Sequence, residues 1–434
     1  MQVAAPDATR HVARDMSRLG PVLTTLAIVA TALLLASCRT TTTVPAPAPT
    51  PPPGPLILIS IDGFRWDYLQ LHDAPTLRAL AAQGTRATRM RPSFPSKTFP
   101  NHYTLVTGLH PQNHGIVANW FFEPTTGDKF TMQRMETFWW DAGEPIWITA
   151  EKQGVRSACF FWPGSETELQ GRRPSLWQPF QHAMPPMERV DGLLRWLALP
   201  EGERPALFTL YFDHVDTIGH AHGPTASETA AAVKLADDAI ARLLAGLEKL
   251  GLRDRTNLVL VADHGMSENG PERVIFLDDL MDLKQVRVES TGPNGGVRPL
   301  AGIDVRAFAD AIRAKAPPQL KVYLREDVPA HLHYNRGERI PPIVLIADDH
   351  WSIEERRGWP HRRLTYSKAT HGWDPTHENM GALFLAHGPA FRRGATIPVF
   401  DNIHVYELLC AVLKITPAKN DGDDRLARAV LAPR

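Results

Sequence analysis

The stretch LILISIDGF, residues 56–64, contains the pattern that decides the fold. Residues 56–61 form an uninterrupted apolar run, which predicts a strand buried on both faces of a sheet, because a half-exposed strand alternates apolar and polar side chains. Asp62 follows this strand directly. A carboxylate at the end of a buried strand indicates a functional site, because a charge is costly to bury without a partner.

The same kind of run recurs along the chain. Further predicted buried strands lie at residues 155–161, 206–212, 256–262 and 381–388. Helical spacing of apolar residues is found mainly between these strands, at residues 74–84, 144–154, 187–199 and 226–251. Alternating strands and helices predict an α/β fold, a three-layer α/β/α sandwich around a mostly parallel sheet.

This alternation stops in the second half of the chain, between residues 268 and 366. The segment contains PNGG, APPQ and IPP and shows no long helical period. We therefore predict a smaller inserted α+β subdomain that lies over the sheet edge. The predicted organisation is a signal peptide at 1–38, a Pro/Thr-rich linker at 39–55, a catalytic core at 56–267 and 367–434, and the inserted subdomain at 268–366.

The N-terminus is typical of an exported protein. The apolar run at residues 21–37 follows Arg14 and Arg18 and is too short for a confident membrane span. It ends in LASC, which resembles a bacterial lipobox, whose cysteine carries the lipid. We therefore expect a periplasmic protein anchored by lipid to the outer membrane through Cys38. The alternative is a cleaved signal and a secreted protein.

Charge and cysteine content restrict the partners. Lys plus Arg and Asp plus Glu both number 47, so no overall field favours a nucleic-acid polymer or an acidic membrane. We expect a small-molecule substrate, and membrane contact through the lipid anchor only.

After residue 38 the cysteines are Cys159 and Cys410, so at most one disulfide is possible. Buried free thiols are expected, with a bridge as the alternative.

Polar side chains follow several of the predicted strands. Five residues of types that bind metals follow such strands, Asp62, Asp216, His220, Asp263 and His264, and a sixth, His371, lies just before the last predicted strand. Because parallel strands share one carboxyl edge, these side chains are expected to meet there. With an oxygen from Thr98 they suffice for two zinc ions, since zinc favours nitrogen and oxygen ligands. The same ligands bind other divalent metals, so the identity of the metal stays open.

Five motifs in order carry a family resemblance: SIDGFRWDYL, PSFPSKTFPNHYTLVTGLHPQNHGIVAN, VDTIGHAHGP, ADHGM and THGWD. They resemble the bacterial nucleotide pyrophosphatase/phosphodiesterase family of the alkaline phosphatase superfamily, over most of residues 56–420. The resemblance implies one zinc held by Asp62, Thr98, Asp263 and His264, and a second held by Asp216, His220 and His371.

The resemblance also implies a reaction. Thr98 is the expected nucleophile and forms a covalent nucleotidyl-threonine intermediate, as in the conversion of ATP to AMP and pyrophosphate. Asn119 is expected to donate to a phosphate oxygen, and Phe99 and Tyr211 to stack on the nucleobase. The sequence departs from many relatives at His214, where they have a carboxylate.

Alternative functions stay open at this point. Within the superfamily they are a phospholipase C-like or phosphocholine diesterase and a phosphomonoesterase. No arginine lies within six residues of Thr98, which disfavours a dianionic monoester, although the direction of Lys97 is unknown. A sulfatase is disfavoured, because it needs cysteine or serine in a C/S-x-P-x-R context. A non-enzymatic zinc lipoprotein is the remaining class, and the complete ligand set argues against it.

Other histidines are treated separately from the six candidate ligands. His222 lies close in sequence to the second ligand set, and its effect is open. Four more histidines are expected to be structural or to support the ligands: His102, His110, His114 and His377.

Overall fold

The structure is a computed structural model that describes residues 54–433. The predicted signal peptide (1–38) and residues 39–53 of the predicted linker lie outside the described residues. All the described residues fall in one compact unit. Within this part of the chain, no helix combines the length and apolar character that crossing a bilayer requires.

Two main sheets are formed within residues 54–433. Their twelve strands are β1 (Leu56–Ile61), β2 (Thr85–Ala87), β3 (Ser157–Phe160), β4 (Leu176–Gln178), β5 (Leu207–Phe212), β6 (Asn257–Val261), β7 (Val286–Ser290), β8 (Asn294–Pro299), β9 (Leu320–Leu324), β10 (Ile343–Ala347), β11 (Phe384–His387) and β12 (Ala395–Ile397). Nine helices in the same range are longer than four residues: α1 (Pro75–Gln83), α2 (Thr98–Thr107), α3 (Ile146–Lys152), α4 (Pro186–Leu197), α5 (His214–His222), α6 (Ser227–Lys249), α7 (Val305–Arg313), α8 (Val405–Leu413) and α9 (Arg425–Val430).

Shorter elements connect these. Short strands pair as Met90–Arg91 with Phe400–Asp401, Phe121–Phe122 with Lys129–Phe130, Ser267–Glu268 with Ala369–Thr370, and Val274–Phe276 with Ser352–Glu354. Single-turn helices are Tyr68–Leu71, Pro111–His114, Thr137–Trp140, Leu277–Leu280 and Trp359–Arg362. The 3-10 turns are Leu283–Gln285, Arg325–Asp327, Ala330–Leu332, Arg363–Thr365, Glu378–Met380 and Asn402–His404.

The larger sheet has the strand order β12-β2-β11-β6-β1-β5-β3-β4. Strand β1 lies near its centre, is buried along its whole length and pairs in parallel with both β5 and β6. Strand β11 runs antiparallel to β6 and β2. The predicted mostly parallel sheet is therefore confirmed; the direction of β11 was not predicted, because a hydrophobic run indicates burial and not direction.

Helices pack in two groups. Helix α6 contacts α1, α4 and α5, whereas α8 contacts α2, α3 and α9. Helices α1 and α4 also contact strands of the larger sheet, as do α3 and α8 from the other group. These contacts agree with the predicted three-layer α/β/α sandwich, whose parallel strands place their carboxyl ends at one edge.

Helix α4 approaches the sheet closely at Gly192. A β-carbon at this position would lie 2.3 Å from Cε2 of Phe160, whose ring is buried. We expect Gly192→Ala to lower the free energy of unfolding by about 1–3 kcal/mol, because overpacking outweighs the better helix propensity of alanine. Denaturant titration measures this change. The matched control is Gly202→Ala, since a β-carbon at Gly202 meets nothing within 4 Å; equal stability of both variants would contradict the close approach.

The stretch 268–366 has the predicted α+β architecture. Strands β7, β8, β10 and β9 form, in that order, a four-stranded antiparallel sheet, against which α7 packs. Its apolar residues form a separate cluster that includes Ile312 and Leu345. However, Tyr334 and Ile340 belong to the main core, so the stretch is also anchored on the sandwich. The exact segment boundaries stay a prediction.

Both cysteines of the described residues are buried and unbridged. Cys159 lies in β3 and Cys410 in α8. Burial raises the pKa of both thiols, that of Cys410 to about 12. The expectation of buried, inert thiols is confirmed, and a disulfide between them is excluded in this structure.

Candidate active site

The structure brings the six predicted ligands together as two groups at the carboxyl edge of the larger sheet. The first group is Asp62, Asp263 and His264, and the second is Asp216, His220 and His371. Within each group the ligand atoms lie within 4.8 Å of one another. The parallel register of β1 and β6 pairs Ser60 with Val261, which places the residues after each strand side by side.

The second group is built on helix α5. Asp216 and His220 are four residues apart and share one face of this helix, so that Asp216 Oδ2 lies 3.4 Å from His220 Nε2. His371 Nε2 lies 3.6 Å from Asp216 Oδ1. The rings of His264 and His371 stack with centroids 3.4 Å apart, so the two groups adjoin.

The three imidazoles are oriented by backbone carbonyls. Each Nδ1 faces a carbonyl oxygen: His220 and Ala369 at 2.8 Å, His264 and Gly265 at 2.9 Å, His371 and Ser96 at 2.8 Å. Because a carbonyl only accepts, Nδ1 must donate and Nε2 carries the lone pair. This arrangement is common around metal-bound histidines and fixes the ligand nitrogen in advance.

The carboxylates show whether a cation fits. Asp62 Oδ2 accepts from the Tyr211 hydroxyl at 2.6 Å, and Asp263 Oδ1 accepts from the Gly63 amide at 3.2 Å. Their other oxygens, and Oδ1 of Asp216, are buried without a hydrogen-bond partner among the described residues. A buried carboxylate oxygen without a hydrogen-bond partner lowers the stability of the fold. Together with the Nε2 lone pairs these oxygens form donor sets that suit divalent cations such as zinc.

Electrostatics leads to the same conclusion. Burial, followed by repulsion from Asp263 and Asp216, raises the pKa of Asp62 well above its usual range, and burial and Asp216 do the same for Asp263. Burial and the neighbouring imidazoles lower the pKa of His371 well below its usual value. A bound cation would favour the ionised carboxylates and the neutral imidazole.

Thr98 is the first residue of α2 and lies beside the first group. Its side chain is almost buried, with 8% of the residue exposed, and Oγ1 lies 3.4 Å from His264 Nε2. His102 links the start of α2 to β1: its Nδ1 donates to the Thr98 carbonyl at 2.9 Å, and its Nε2 contacts the Ser60 hydroxyl at 2.8 Å. Burial lowers the pKa of His102 to about 3, so this imidazole is neutral.

Asn119 lies next to Thr98 in the same cavity, whose volume is about 590 Å³. Its Oδ1 accepts from the Phe99 amide at 2.9 Å. This bond assigns the orientation of the side-chain amide and leaves Nδ2 as a donor near Thr98. Such a donor suits an oxygen that gains negative charge during reaction.

The predicted aromatic residues differ in exposure. Phe99 and Tyr211 both line the cavity, but Tyr211 is only 7% exposed and its hydroxyl donates to Asp62. Phe180, which no sequence motif marked, is 45% exposed, lines the same cavity and lies 5.9 Å from the Tyr211 ring. The cavity therefore offers a further aromatic surface on a loop. An isolated loop phenylalanine gives no sequence signal.

Lys97 also points toward this cavity, which the sequence left undecided. Its Nζ lies 3.1 Å from the position that a β-carbon of Gly372 would take, next to His371. Burial lowers the pKa of Lys97 to about 8. A cationic group therefore lies close to the second group of ligands.

The remaining histidines lie outside both groups. His214 Nε2 contacts the Ala232 carbonyl at 3.0 Å, and His222 Nδ1 lies 3.3 Å from Glu228 Oε1. Of the four expected to be structural or supporting, His102 underlies Thr98, His110 stacks on His333, His114 contacts the Thr104 hydroxyl, and His377 precedes a 3-10 turn.

Comparison with known proteins agrees with this geometry. Human ectonucleotide pyrophosphatase/phosphodiesterase family member 1 is 37% identical over 84% of this chain, which spans 40% of that protein. An uncharacterized pyrophosphatase/phosphodiesterase of Schizosaccharomyces pombe is 38% identical over 85% of this chain and 78% of its own length.

Solved structures of ectonucleotide pyrophosphatase/phosphodiesterases are also similar to this structure. Human ectonucleotide pyrophosphatase/phosphodiesterase 5 superposes with a TM-score of 0.83 at 32% identity, over 87% of this chain and 100% of that one. The murine protein, an inactive threonine-to-alanine variant in complex with AMP, gives a TM-score of 0.81 at 31% identity, with the same coverage of both chains. The model of the type I phosphodiesterase / nucleotide pyrophosphatase family matches residues 56–374, and the chain belongs to this family.

Proposed function

We propose that this protein is a two-zinc phosphodiesterase and nucleotide pyrophosphatase that cleaves nucleotide phosphodiester or phosphoanhydride bonds, for example ATP to AMP and pyrophosphate. The observation that carries the proposal is a threonine hydroxyl at two adjoining groups of ligands whose buried carboxylate oxygens lack partners. The names of the relatives and the AMP complex of the murine protein support it.

The proposed reaction has two steps. Zinc held by the two groups would supply positive charge that favours the Thr98 alkoxide and offsets charge at phosphorus. Thr98 Oγ1, having lost its proton, attacks phosphorus; a P–O bond forms and the bond to the alcohol or pyrophosphate breaks. Water then cleaves the nucleotidyl-threonine ester, which releases the nucleotide and restores the hydroxyl.

Asn119→Ala should lower kcat by about 10²- to 10³-fold, because one preorganised donor to the phosphate oxygen is lost. Turnover of bis-p-nitrophenyl phosphate measures kcat, and metal content measured by mass spectrometry shows whether the ligand groups remain occupied. Asn119→Asp is the matched control: it keeps an acceptor for the Phe99 amide but removes the donor, and should show a similar loss. Normal turnover in Asn119→Asp would exclude this role.

The substrate side of the cavity fits a nucleotide. Phe99 and Phe180 offer aromatic faces to a base, and the Tyr211 ring, 5.9 Å from that of Phe180, lines the same cavity. A panel of ATP, a dinucleoside polyphosphate, a lysophospholipid and p-nitrophenyl phosphate tests the proposal. ATP and the dinucleoside polyphosphate should be the preferred substrates, and a clear preference for the lysophospholipid, which is also a phosphodiester, would favour the phospholipase C-like alternative.

One observation supports a second candidate, a phosphomonoesterase. Lys97 places a cationic side chain at the cavity, which suits the second negative charge of a monoester. In the same panel, faster turnover of p-nitrophenyl phosphate than of ATP would favour this candidate and overturn the diesterase proposal.

For localisation we propose a lipid-anchored periplasmic protein of the outer membrane, attached through Cys38. The support is the sequence LASC after an apolar run, which lies outside the described residues. The relatives named above come from animals and yeast, so a bacterial origin rests on the same signal. Fractionation of the producing cells, with Cys38→Ser as the comparison, tests the anchor; an unchanged membrane fraction of this variant would contradict it.

A further inference from the structure

A chain of polar side chains lies at the rim of the cavity, beyond the two ligand groups. His182 is 69% exposed in its side chain, lines the cavity and contacts Asp213 Oδ2 through Nδ1 at 2.5 Å. Asp213 Oδ1 in turn pairs with the Arg189 guanidinium at 2.8 Å. The proposed reaction uses none of these three side chains.

Arg189 makes this rim rigid. Its side chain is only 2% exposed, and it donates to the carbonyls of His182, Met184 and Tyr211. A buried guanidinium that joins a carboxylate to three carbonyls holds the loop carrying His182 against the end of β5. His182 is therefore presented on a fixed support, unlike a typical exposed histidine.

The hydrogen bond to Asp213 determines what His182 can offer to a ligand. Because the carboxylate accepts, Nδ1 carries a proton, and this tautomer of the imidazole has its acceptor at Nε2. No partner for Nε2 is present among residues 54–433.

The position of this acceptor relates it to the base rather than to the phosphate. The His182 ring lies 6.4 Å from the Phe180 ring and is tilted by 54°. A base stacked on the face of Phe180 would extend sideways past that ring, and its polar atoms lie along its edge. The His182 ring therefore lies beside the aromatic face on which a base would stack, where the edge of that base would come close to it.

We infer that His182 is a specificity-determining residue that accepts a hydrogen bond from the exocyclic amine of a nucleobase, with Asp213 and Arg189 as positioning residues. An amine at the base edge occurs in adenine and cytosine, whereas uracil places a carbonyl oxygen there. This inference rests on the proposed function and adds a preference for amine-bearing bases, because an unpaired polar group weakens binding of the wrong base.

The test uses p-nitrophenyl esters of adenosine and uridine 5′-monophosphate, which share one leaving group, and bis-p-nitrophenyl phosphate, which has no base. His182→Ala should lower kcat/KM for the adenosine ester about tenfold, mainly through KM, as expected for one hydrogen bond. The uridine ester and the base-free diester should change less than twofold. His331→Ala is the matched control, an exposed histidine 3.4 Å from Asp374 that does not line the cavity.

Different outcomes separate this inference from the proposed function. An unchanged ratio of the adenosine and uridine esters in His182→Ala overturns the inference, as does an equal loss on all three substrates. Absence of turnover of all three substrates by the unmodified protein would instead overturn the proposed function. His182→Gln, whose longer side chain can bring an amide oxygen to the place of Nε2, should recover part of the preference; if it behaves as alanine while the His331 control stays normal, the hydrogen bond is not the cause.

Discussion

Thr98→Ala should lower the turnover of bis-p-nitrophenyl phosphate by about 10³- to 10⁶-fold, the range seen when a catalytic nucleophile is removed. Within the cavity, Thr98 presents its hydroxyl 3.4 Å from His264 Nε2, at the first ligand group. Alanine leaves no oxygen there to attack phosphorus. Initial rates and the metal content of the same preparation measure the effect.

The fold should survive this change. Thr98 begins helix α2 and its hydroxyl contacts only His264 within hydrogen-bond range, so alanine removes little packing. Thr98→Ser is the matched control, because it keeps the hydroxyl and should retain measurable turnover. Rapid quenching of the unmodified protein during turnover of ATP should reveal a nucleotidyl group on Thr98 by mass spectrometry. Full activity of Thr98→Ala would exclude the covalent mechanism.

Removal of the metal should abolish turnover and also destabilise the fold. Chelation leaves three buried carboxylate oxygens without partners, on Asp62, Asp216 and Asp263. Returning zinc at about one hundred times its dissociation constant should stabilise the protein by about 2.7 kcal/mol for each site that is filled. Thermal unfolding of the chelated and reloaded protein measures this difference, and equal melting temperatures would contradict binding at these groups.

This stabilisation should depend on pH. In the metal-free protein the pKa values of Asp62 and Asp263 are raised, first by burial and then by neighbouring carboxylates. A raised folded-state pKa stabilises the fold at low pH, and this contribution is lost as pH rises through that pKa. The gain on adding zinc should therefore be larger at neutral pH than in mild acid.

A single ligand variant tests the second group. His371→Ala should lose most activity and one equivalent of metal, because Nε2 of His371 faces Asp216. His377→Ala, six residues further along, is the control, since His377 belongs to neither group. Equal metal content in both variants would remove His371 from the ligands.

Much of the site could be predicted because many of its residues lie in or just after strands and helices that are recognisable from their sequence patterns. Apolar runs mark β1 and β6, and the candidate ligands Asp62 and Asp263 come just after them. Helical spacing places Asp216 and His220 on one face. The parallel arrangement then requires the strand ends to meet, so local patterns were sufficient for these ligands.

The rest of the site depends on loops. Phe180 and His182 lie between β4 and α4, in a segment with no periodicity and no motif. Their place at the cavity comes from Arg189, which joins that loop to β5. The direction of Lys97 was equally undecided, since a residue before a helix can face either side.

By itself, the sequence determined the layered α/β architecture, the six candidate ligands and the candidate nucleophile. It could do so because burial and helical or extended periodicity are local properties of the chain. Only the tertiary structure decided which oxygens lack partners, which aromatic faces are exposed and where His182 points. These properties depend on contacts between residues far apart in sequence, and local patterns do not encode such contacts.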